Sequence, residues 1–101
     1  MTIGDVASDQ QLIASGARLI IRPAAGVEWV VHNLYYGAAM AIHRTDGAND
    51  LIYDTDTGVG ARLGYAWHLT NAIYLELENT SGGDSILGYD GIISGPQPPP
   101  V

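Results

Sequence analysis

Hydrophobic and polar residues alternate over short stretches of the chain, and turn-forming residues separate these stretches. Residues 72–79, AIYLELEN, alternate cleanly, which predicts a strand with one buried and one exposed face. The Asp-Gly pair within 45–50 predicts a hairpin turn. Seven or so such strands recur at spacings of about 8 to 12 residues, without a long helical pattern. This pattern predicts an all-β fold, a small antiparallel β-sandwich or jelly-roll-like barrel.

Residues 27–36, VEWVVHNLYY, break the alternation because both parities are largely apolar. A small sandwich buries one face of each sheet, so the second apolar face of this strand needs another cover. One parity is predicted to enter the core with apolar residues of later strands. These predicted core positions are Trp29, Val31, Tyr35, Tyr65, Trp67, Leu69, Ile73, Leu75, Leu77, Leu87 and Tyr89.

The opposite parity is predicted to form an interface, because contiguous exposed apolar patches mark interaction sites. Two alternatives stay open: exposed apolar residues are common on protein surfaces, and a small-molecule pocket would also cover them. The predicted interface residues are Val30, Leu34, Tyr36, Ile86, Ile92, Leu12 and Ile13.

The two ends of the chain differ from its middle. Residues 1–17 are weakly patterned and are predicted to form an N-terminal arm, either extended or with a short helical turn. The β-sandwich domain is predicted over 18–94. Residues 95–101, GPQPPPV, cannot form a sheet ladder and are predicted to be a proline-rich C-terminal tail.

Composition narrows the classes of partner. The chain has 101 residues, no cysteine and a net charge of -7, with all four cations being arginines. One domain is expected at this length. So few scattered cations disfavour binding to nucleic acid and to anionic membranes. No apolar run reaches the roughly 18 residues of a membrane span, and the first residues do not resemble a signal peptide, so synthesis in the cytoplasm is expected.

Charged residues make up only 15% of the chain, whereas 47% are hydrophobic. Soluble domains typically carry about 25% charged residues. The surface is therefore unusually neutral, which suits a protein that neighbouring subunits cover, and a homo-oligomer is expected.

The residues that most often carry chemistry do not form a recognisable motif. His32, His43 and His68 fall in predicted strands, and a metal site would require them to converge on adjacent strands. Glu76 and Glu78 share one parity of a strand, which is typical of a solvated face rather than of a glycosidase pair. With no nucleophile motif either, no catalytic residue, cofactor or metal is predicted, and the chain is not expected to be an enzyme.

Aspartates cluster in the middle of the chain, at Asp46, Asp50, Asp54 and Asp56. The run DTDTG at 54–58 begins like a calcium-binding loop, but position 65, where a glutamate would complete such a loop, is a tyrosine. Turn formation by aspartate explains these positions without an ion.

Three segments carry a resemblance to a known class of protein: IRPAAGVEWVVHNLYYG, DTDTGVGARLGYAWHLTN and YLELENTSGGDSILGYDG. Together they resemble small β-sandwich virion proteins of tailed bacteriophages, over residues 20 to 93. The resemblance implies a capsid decoration (cement) protein, often a trimer, that binds the major capsid protein in the virion after synthesis in the host cytoplasm. It also implies that the arm, with Leu12 and Ile13, lies across neighbouring capsid subunits.

Two further functions remain open. A tail or neck accessory protein would share the same features. A carbohydrate-binding module of similar fold would present a row of exposed aromatic residues, for which Tyr36, Tyr53, Tyr74 and Trp67 are the candidates.

Overall fold

The structure, a computed structural model, describes residues 3–96 and confirms the predicted all-β class. These residues form two antiparallel sheets packed as a small β-sandwich and contain no helix. None of them therefore belongs to a helix able to cross a membrane. The strands are β1 (Val6–Ile13), β2 (Arg18–Ile21), β3 (Val27–Tyr36), β4 (Met40–Thr45), β5 (Asp50–Asp56), β6 (Gly60–Arg62), β7 (Trp67–Thr70), β8 (Tyr74–Asn79) and β9 (Ser85–Pro96).

The chain crosses between the two sheets several times. One sheet has five strands in the order β1-β9-β3-β6, and β7 pairs with β3 on the same side as β6. The other sheet has four strands in the order β2-β8-β4-β5. The first strand of the chain thus forms one edge of the larger sheet and pairs with the last strand over its whole length.

The core lies between the sheets and is almost entirely aliphatic. Fully buried leucine, isoleucine and valine side chains each contribute about 1.5–3 kcal/mol relative to exposure. The buried members of this cluster are Ile13, Leu19, Ile21, Val31, Leu34, Tyr36, Met40, Ile42, Leu69, Leu75, Leu77, Leu87 and Tyr89, and Trp29 and Trp67 pack against them. Two residues predicted to be core, Tyr65 and Ile73, are instead exposed.

A β-bulge in β3 explains why both parities of this strand are apolar. Val31 pairs with Gly91 of β9, but the next pair is Asn33 with Asp90, so His32 is an extra residue in β3. One extra residue shifts the following side chains to the other side of the sheet. Leu34 therefore points into the same core as Val31. The inward-facing residues of β3 follow one parity of the sequence before the bulge and the other parity after it.

Tyr35 does not occupy its predicted core position, because the shift at the bulge turns it outward, and its side chain is exposed. Tyr36, the next residue, takes the inward position instead and is buried.

Gly91 allows the bulge to lie close to β9. A methyl group at this position would meet the backbone oxygen of Val30 and the Cα of Val31 at distances that real side chains do not adopt. These are backbone atoms of the bulged strand and cannot rotate away. Glycine is therefore required opposite the bulge.

The ends of the sandwich differ from the predicted domain boundaries. Residues 6–13 belong to the sandwich itself as strand β1 and are not a separate arm, because eight consecutive residues pair with β9. Gly95 and Pro96 are the last residues of β9 rather than the start of a tail. The rest of the predicted tail, 97–101, lies outside the described residues.

Candidate interaction face on the five-stranded sheet

Exposed aliphatic side chains lie in register across the outward side of the five-stranded sheet, which we call outer face A. Residues that stand directly opposite each other on antiparallel strands point to the same side of a sheet. Val6 of β1 stands opposite Ile92 of β9, and Leu12 stands opposite Ile86. Val6 and Leu12 are 71% and 67% exposed. Val30 of β3, half-buried, continues the first row. Two aliphatic rows therefore cross this face.

Asp90 lies between the two rows and is held by two neutral donors. Asn33 donates from Nδ2 to Oδ1 of Asp90 over 2.5 Å, and the Tyr35 hydroxyl donates to Oδ2 over 2.7 Å. The hydrogen bond to Asp90 and the burial of the hydroxyl raise the pKa of Tyr35 above its usual 10.0. Asn33 is fixed in turn, because its Oδ1 accepts from the backbone N–H of Gly64 at 3.1 Å. Each carboxylate oxygen can accept one more hydrogen bond.

An open depression of about 890 Å³ surrounds Asp90 on outer face A. Val6 and Ile92 flank it, and His32 lines it from the bulge. Nδ1 of His32 lies 2.8 Å from the backbone oxygen of Tyr65, and because a carbonyl oxygen only accepts, Nδ1 carries a proton. None of the described residues that line the depression is an arginine, so its one half-buried carboxylate has no cation beside it.

The predicted interface residues divide into two groups in the structure. Leu34, Tyr36 and Ile13 are buried in the core of this chain, so their prediction as interface residues is wrong. The bulge turns the first two inward, and the pairing of β1 with β9 places the third under the sheet. The remaining four lie on outer face A, where Leu12, Ile86 and Ile92 are exposed and Val30 is half-buried.

The outward side of the four-stranded sheet, outer face B, carries a network of ion pairs. His43 is only 1% exposed. Its Nδ1 lies 3.0 Å from Oδ2 of Asp50, and its Nε2 lies 2.8 Å from Oε1 of Glu78. The ring is therefore held between two carboxylates from the strands on either side of β4. Arg18 reaches across the same face to Asp50 at 3.1 Å and to Glu76 at 2.9 Å. The charges of outer face B therefore find partners within the chain.

The three histidines do not converge as a metal site would require. His32 and His68 belong to the five-stranded sheet, whereas His43 lies on outer face B. Among residues 3–96, no group of three or more histidine, aspartate and glutamate side chains is arranged to hold a metal ion. Glu76 and Glu78 share one face, as predicted, but both belong to the ion-pair network.

The clustered aspartates have separate structural roles. Asp46 caps its own turn by accepting from the backbone N–H groups of Ala48 and Asn49. These bonds and the Asn49 side chain lower the pKa of Asp46 to about 2. Asp54 pairs with Arg62 at 3.0 Å.

Asp56 joins the two sheets, because its Oδ2 accepts from the Tyr36 hydroxyl over 2.5 Å. This bond, with the backbone N–H of Thr57, lowers the pKa of Asp56. Asp50 belongs to outer face B: partial burial alone would raise its pKa, but the hydrogen bond from Arg18 and the charge of His43 lower it overall.

In each of two edge strands, an aspartate side chain accepts a hydrogen bond from a backbone N–H group of the same strand. The N–H of Gln10 on β1 donates to Oδ1 of Asp9 over 2.8 Å, and the N–H of Thr55 on β5 donates to Oδ1 of Asp54 over 2.9 Å. A charged side chain at an edge and an occupied donor both oppose the addition of a further strand. These two edges, β1 and β5, are thus less suited to association than outer face A.

The candidate aromatic residues do not form an exposed row. Tyr36 and Tyr74 are buried, Trp67 is half-buried, and the side chain of Tyr53 lies outside what the structure describes. Tyr65, a predicted core residue, is 49% exposed and stacks on Trp67 with ring centroids 4.8 Å apart and an interplanar angle of 5°. The ring of Tyr65 is therefore presented at the surface with a second ring behind it.

Sequence reasoning missed Asp90 and Asn33, which organise the centre of outer face A. The available signal was a polar residue in each of two otherwise apolar strands, in the motifs HN and GYDG. Only the register of β3 with β9 shows that the two side chains meet.

A scan of protein-family models finds none that matches the chain, and a search of curated proteins finds no similar sequence.

Proposed function

We propose that this protein is a structural virion protein of the capsid-decoration type, which binds between capsid subunits and stabilises the phage head. The observation that carries the proposal is the pair of aliphatic rows on outer face A. Each aliphatic side chain removed from water at an interface contributes up to about 1.5–3 kcal/mol. Val6, Leu12, Ile86 and Ile92 together provide a contact surface that residues 3–96 leave uncovered.

Two further features support an assembly role. The segments IRPAAGVEWVVHNLYYG and YLELENTSGGDSILGYDG resemble small phage virion proteins, and both contribute strands to outer face A. Many weak contacts, repeated by each copy on a shell, sum to tight attachment. A protein with one apolar face and a net charge of -7 therefore suits decoration of a particle that stays soluble.

The test is cosedimentation of the purified protein with empty heads assembled from the major capsid protein of the same genome. The wild type is expected to sediment with heads and to raise their melting temperature. The Leu12→Ser/Ile86→Ser double variant is expected to bind at least about tenfold more weakly, because it removes one aliphatic row.

A matched control is Ile20→Ser, since Ile20 is 57% exposed on outer face B and Ile86 is 50% exposed on outer face A. Equal loss of binding in both variants, or no binding of the wild type, contradicts the proposal. Binding to purified tails but not to heads would assign the protein to the tail or neck instead.

The stacked pair Tyr65 and Trp67 favours carbohydrate binding as a second candidate function. A flat, exposed ring held by a second ring is pre-organised to stack against a sugar. A glycan array probed with the wild type and with Tyr65→Ala tests this candidate. Specific binding by the wild type that Tyr65→Ala abolishes would support it, and an array without any bound glycan would reject it.

A further inference from the structure

We propose that the depression on outer face A receives the Arg44 side chain of a second copy of this chain, which pairs with Asp90. The inference rests on the proposed function in taking outer face A as an association surface, and it adds the partner. Both residues belong to the described part of the chain, and no contact within one copy joins them.

Arg44 is the cation whose charge the chain leaves without a partner among the described residues. Arg18 and Arg62 form ion pairs with carboxylates, and Arg22 binds Asn71 and lies 4.4 Å from the ring centroid of Tyr74. The side chain of Arg44 is exposed and forms no ion pair or hydrogen bond to a described residue.

Asp90 is the matching anion. It is half-buried in a depression whose described lining holds no arginine, and two neutral donors fix its carboxylate. Each carboxylate oxygen accepts one hydrogen bond from these donors and can accept another, so a guanidinium can bind both oxygens as a two-pronged donor. A partly buried carboxylate without a cation gains more from such a partner than an exposed one does.

Exposed aliphatic side chains lie beside both charges, and the groove at Arg44 is also lined by Asp46 and Asp50, neither of which forms an ion pair with it. Val6 and Ile92 flank Asp90, whereas Leu51 and Ile73 share the surface groove beside Arg44, and all four side chains are exposed. A contact between the two regions therefore buries aliphatic side chains around one ion pair, which is the usual arrangement of an interface anchor.

The contact joins unlike surfaces. Asp90 points outward from the five-stranded sheet, and Arg44 lies near the end of β4 in the four-stranded sheet. Such a head-to-tail contact repeats from copy to copy and closes into a ring where the rotation allows.

The test is sedimentation velocity of the full chain from about 1 to 100 μM, with variants that exchange the charges. Wild type is expected to self-associate, and Arg44→Asp and Asp90→Arg are each expected to weaken association at least about tenfold. The double variant Arg44→Asp/Asp90→Arg restores the pair in reverse and is expected to regain association.

Matched controls separate the pair from net charge. Asp84→Arg changes the net charge as much as Asp90→Arg does, but Asp84 is exposed in a turn outside the depression. Arg44→Asp/Asp84→Arg keeps the wild-type charge and is expected to remain dissociated. Asp90→Asn, nearly the same shape, covers the case in which Asp90→Arg does not fold, and circular dichroism checks each variant.

A wild type that stays monomeric, association that persists in Arg44→Asp, or association lost in Asp90→Asn but not in Arg44→Asp overturns the inference. The last result would assign the depression to another cation. Head binding without self-association leaves the proposed function standing and removes this inference. Charge-dependent self-association without head binding leaves this inference standing and removes the proposed function.

Discussion

Outer faces A and B lie on opposite sides of one sandwich and differ in whether their carboxylates are paired with cations of the same chain. On outer face B, His43 and Arg18 together contact three carboxylates, those of Asp50, Glu76 and Glu78, so these polar groups have partners within one chain. On outer face A, Asp90 receives only neutral donors, and aliphatic rows flank it. Carboxylates paired with a cation of the same chain leave little for another molecule to add, whereas a carboxylate held by neutral donors alone can still bind a cation.

The largest expected effect comes from Gly91→Ala, which breaks the geometry of outer face A. The added methyl group meets the backbone of Val30 and Val31, so either the bulge or β9 must move. We expect a loss of about 3 kcal/mol in the free energy of unfolding, measured by urea denaturation. Gly95→Ala in the same strand is the control, because nothing lies within 4 Å of its added methyl group. Equal losses in the two variants would contradict this account of the bulge.

Substituting His43, at the centre of outer face B, should lower the free energy of unfolding somewhat less than Gly91→Ala does. His43→Ala deletes the donor to two carboxylates, Asp50 and Glu78, and leaves a void in the network. We expect unfolding to become easier by about 2 kcal/mol. His68→Ala, at an exposed position of the five-stranded sheet, is the matched control and should change stability little. A small effect at His43 would show that the network is not stabilising.

Acid should weaken the four-stranded sheet. The pKa values of Asp46, Asp50 and Asp56 are lowered in the folded protein, and that of Asp46 is about 2. A lowered pKa stabilises the fold above the unfolded value of about 3.8, and this contribution is lost as the pH falls through the folded value. The melting temperature is therefore expected to decline between pH 4 and about pH 2.

Carbon-detected NMR titration checks the origin of this decline. The carboxyl of Asp46 should titrate at about 2, and Asn49→Ala should move its pKa upward by removing the side-chain hydrogen bond. An Asp46 carboxyl that titrates near 3.8 in the wild type would show that the turn does not hold the carboxylate in this way.

The smallest effect concerns the centre of outer face A. The pKa of Tyr35 lies above 10.0, because its hydroxyl donates a hydrogen bond to Asp90 and the site is partly desolvated. Asp90→Asn is expected to move this pKa back towards 10.0 without unfolding the protein. The Cζ resonance of Tyr35 reports the titration. No change in the variant would show that Asp90 does not hold the hydroxyl.

The fold class could be predicted because alternation and turns are local properties. Strand β8 follows almost directly from the pattern at 72–79, and the Asp-Gly turn at 45–50 joins β4 to β5. The parity of β3 could not be predicted, because the bulge depends on Gly91, about 60 residues away in the chain.

The chemistry of the two faces also depends on contacts between distant strands. In the sequence, His43 is indistinguishable from any other strand histidine, because Asp50 and Glu78 reach its two ring nitrogens only in the folded sheet. Asn79 is fully buried because its amide donates to the backbone oxygens of Ile13 and Gly83, although the sequence NTSGG indicates only a turn. Such residues can be picked out in the sequence, but the contacts they form depend on the register of the strands.

The bulge at His32 has a genetic consequence. Loss of this single codon would remove the extra residue but leave Asn33 opposite Asp90 and Leu34 opposite Tyr89, so both side chains would keep their present sides of the sheet. An in-frame deletion of three nucleotides would thus preserve which side chains of β3 face the core and which face outward. The bulge therefore accommodates one extra codon in the gene without changing which residues this protein shows to its surroundings.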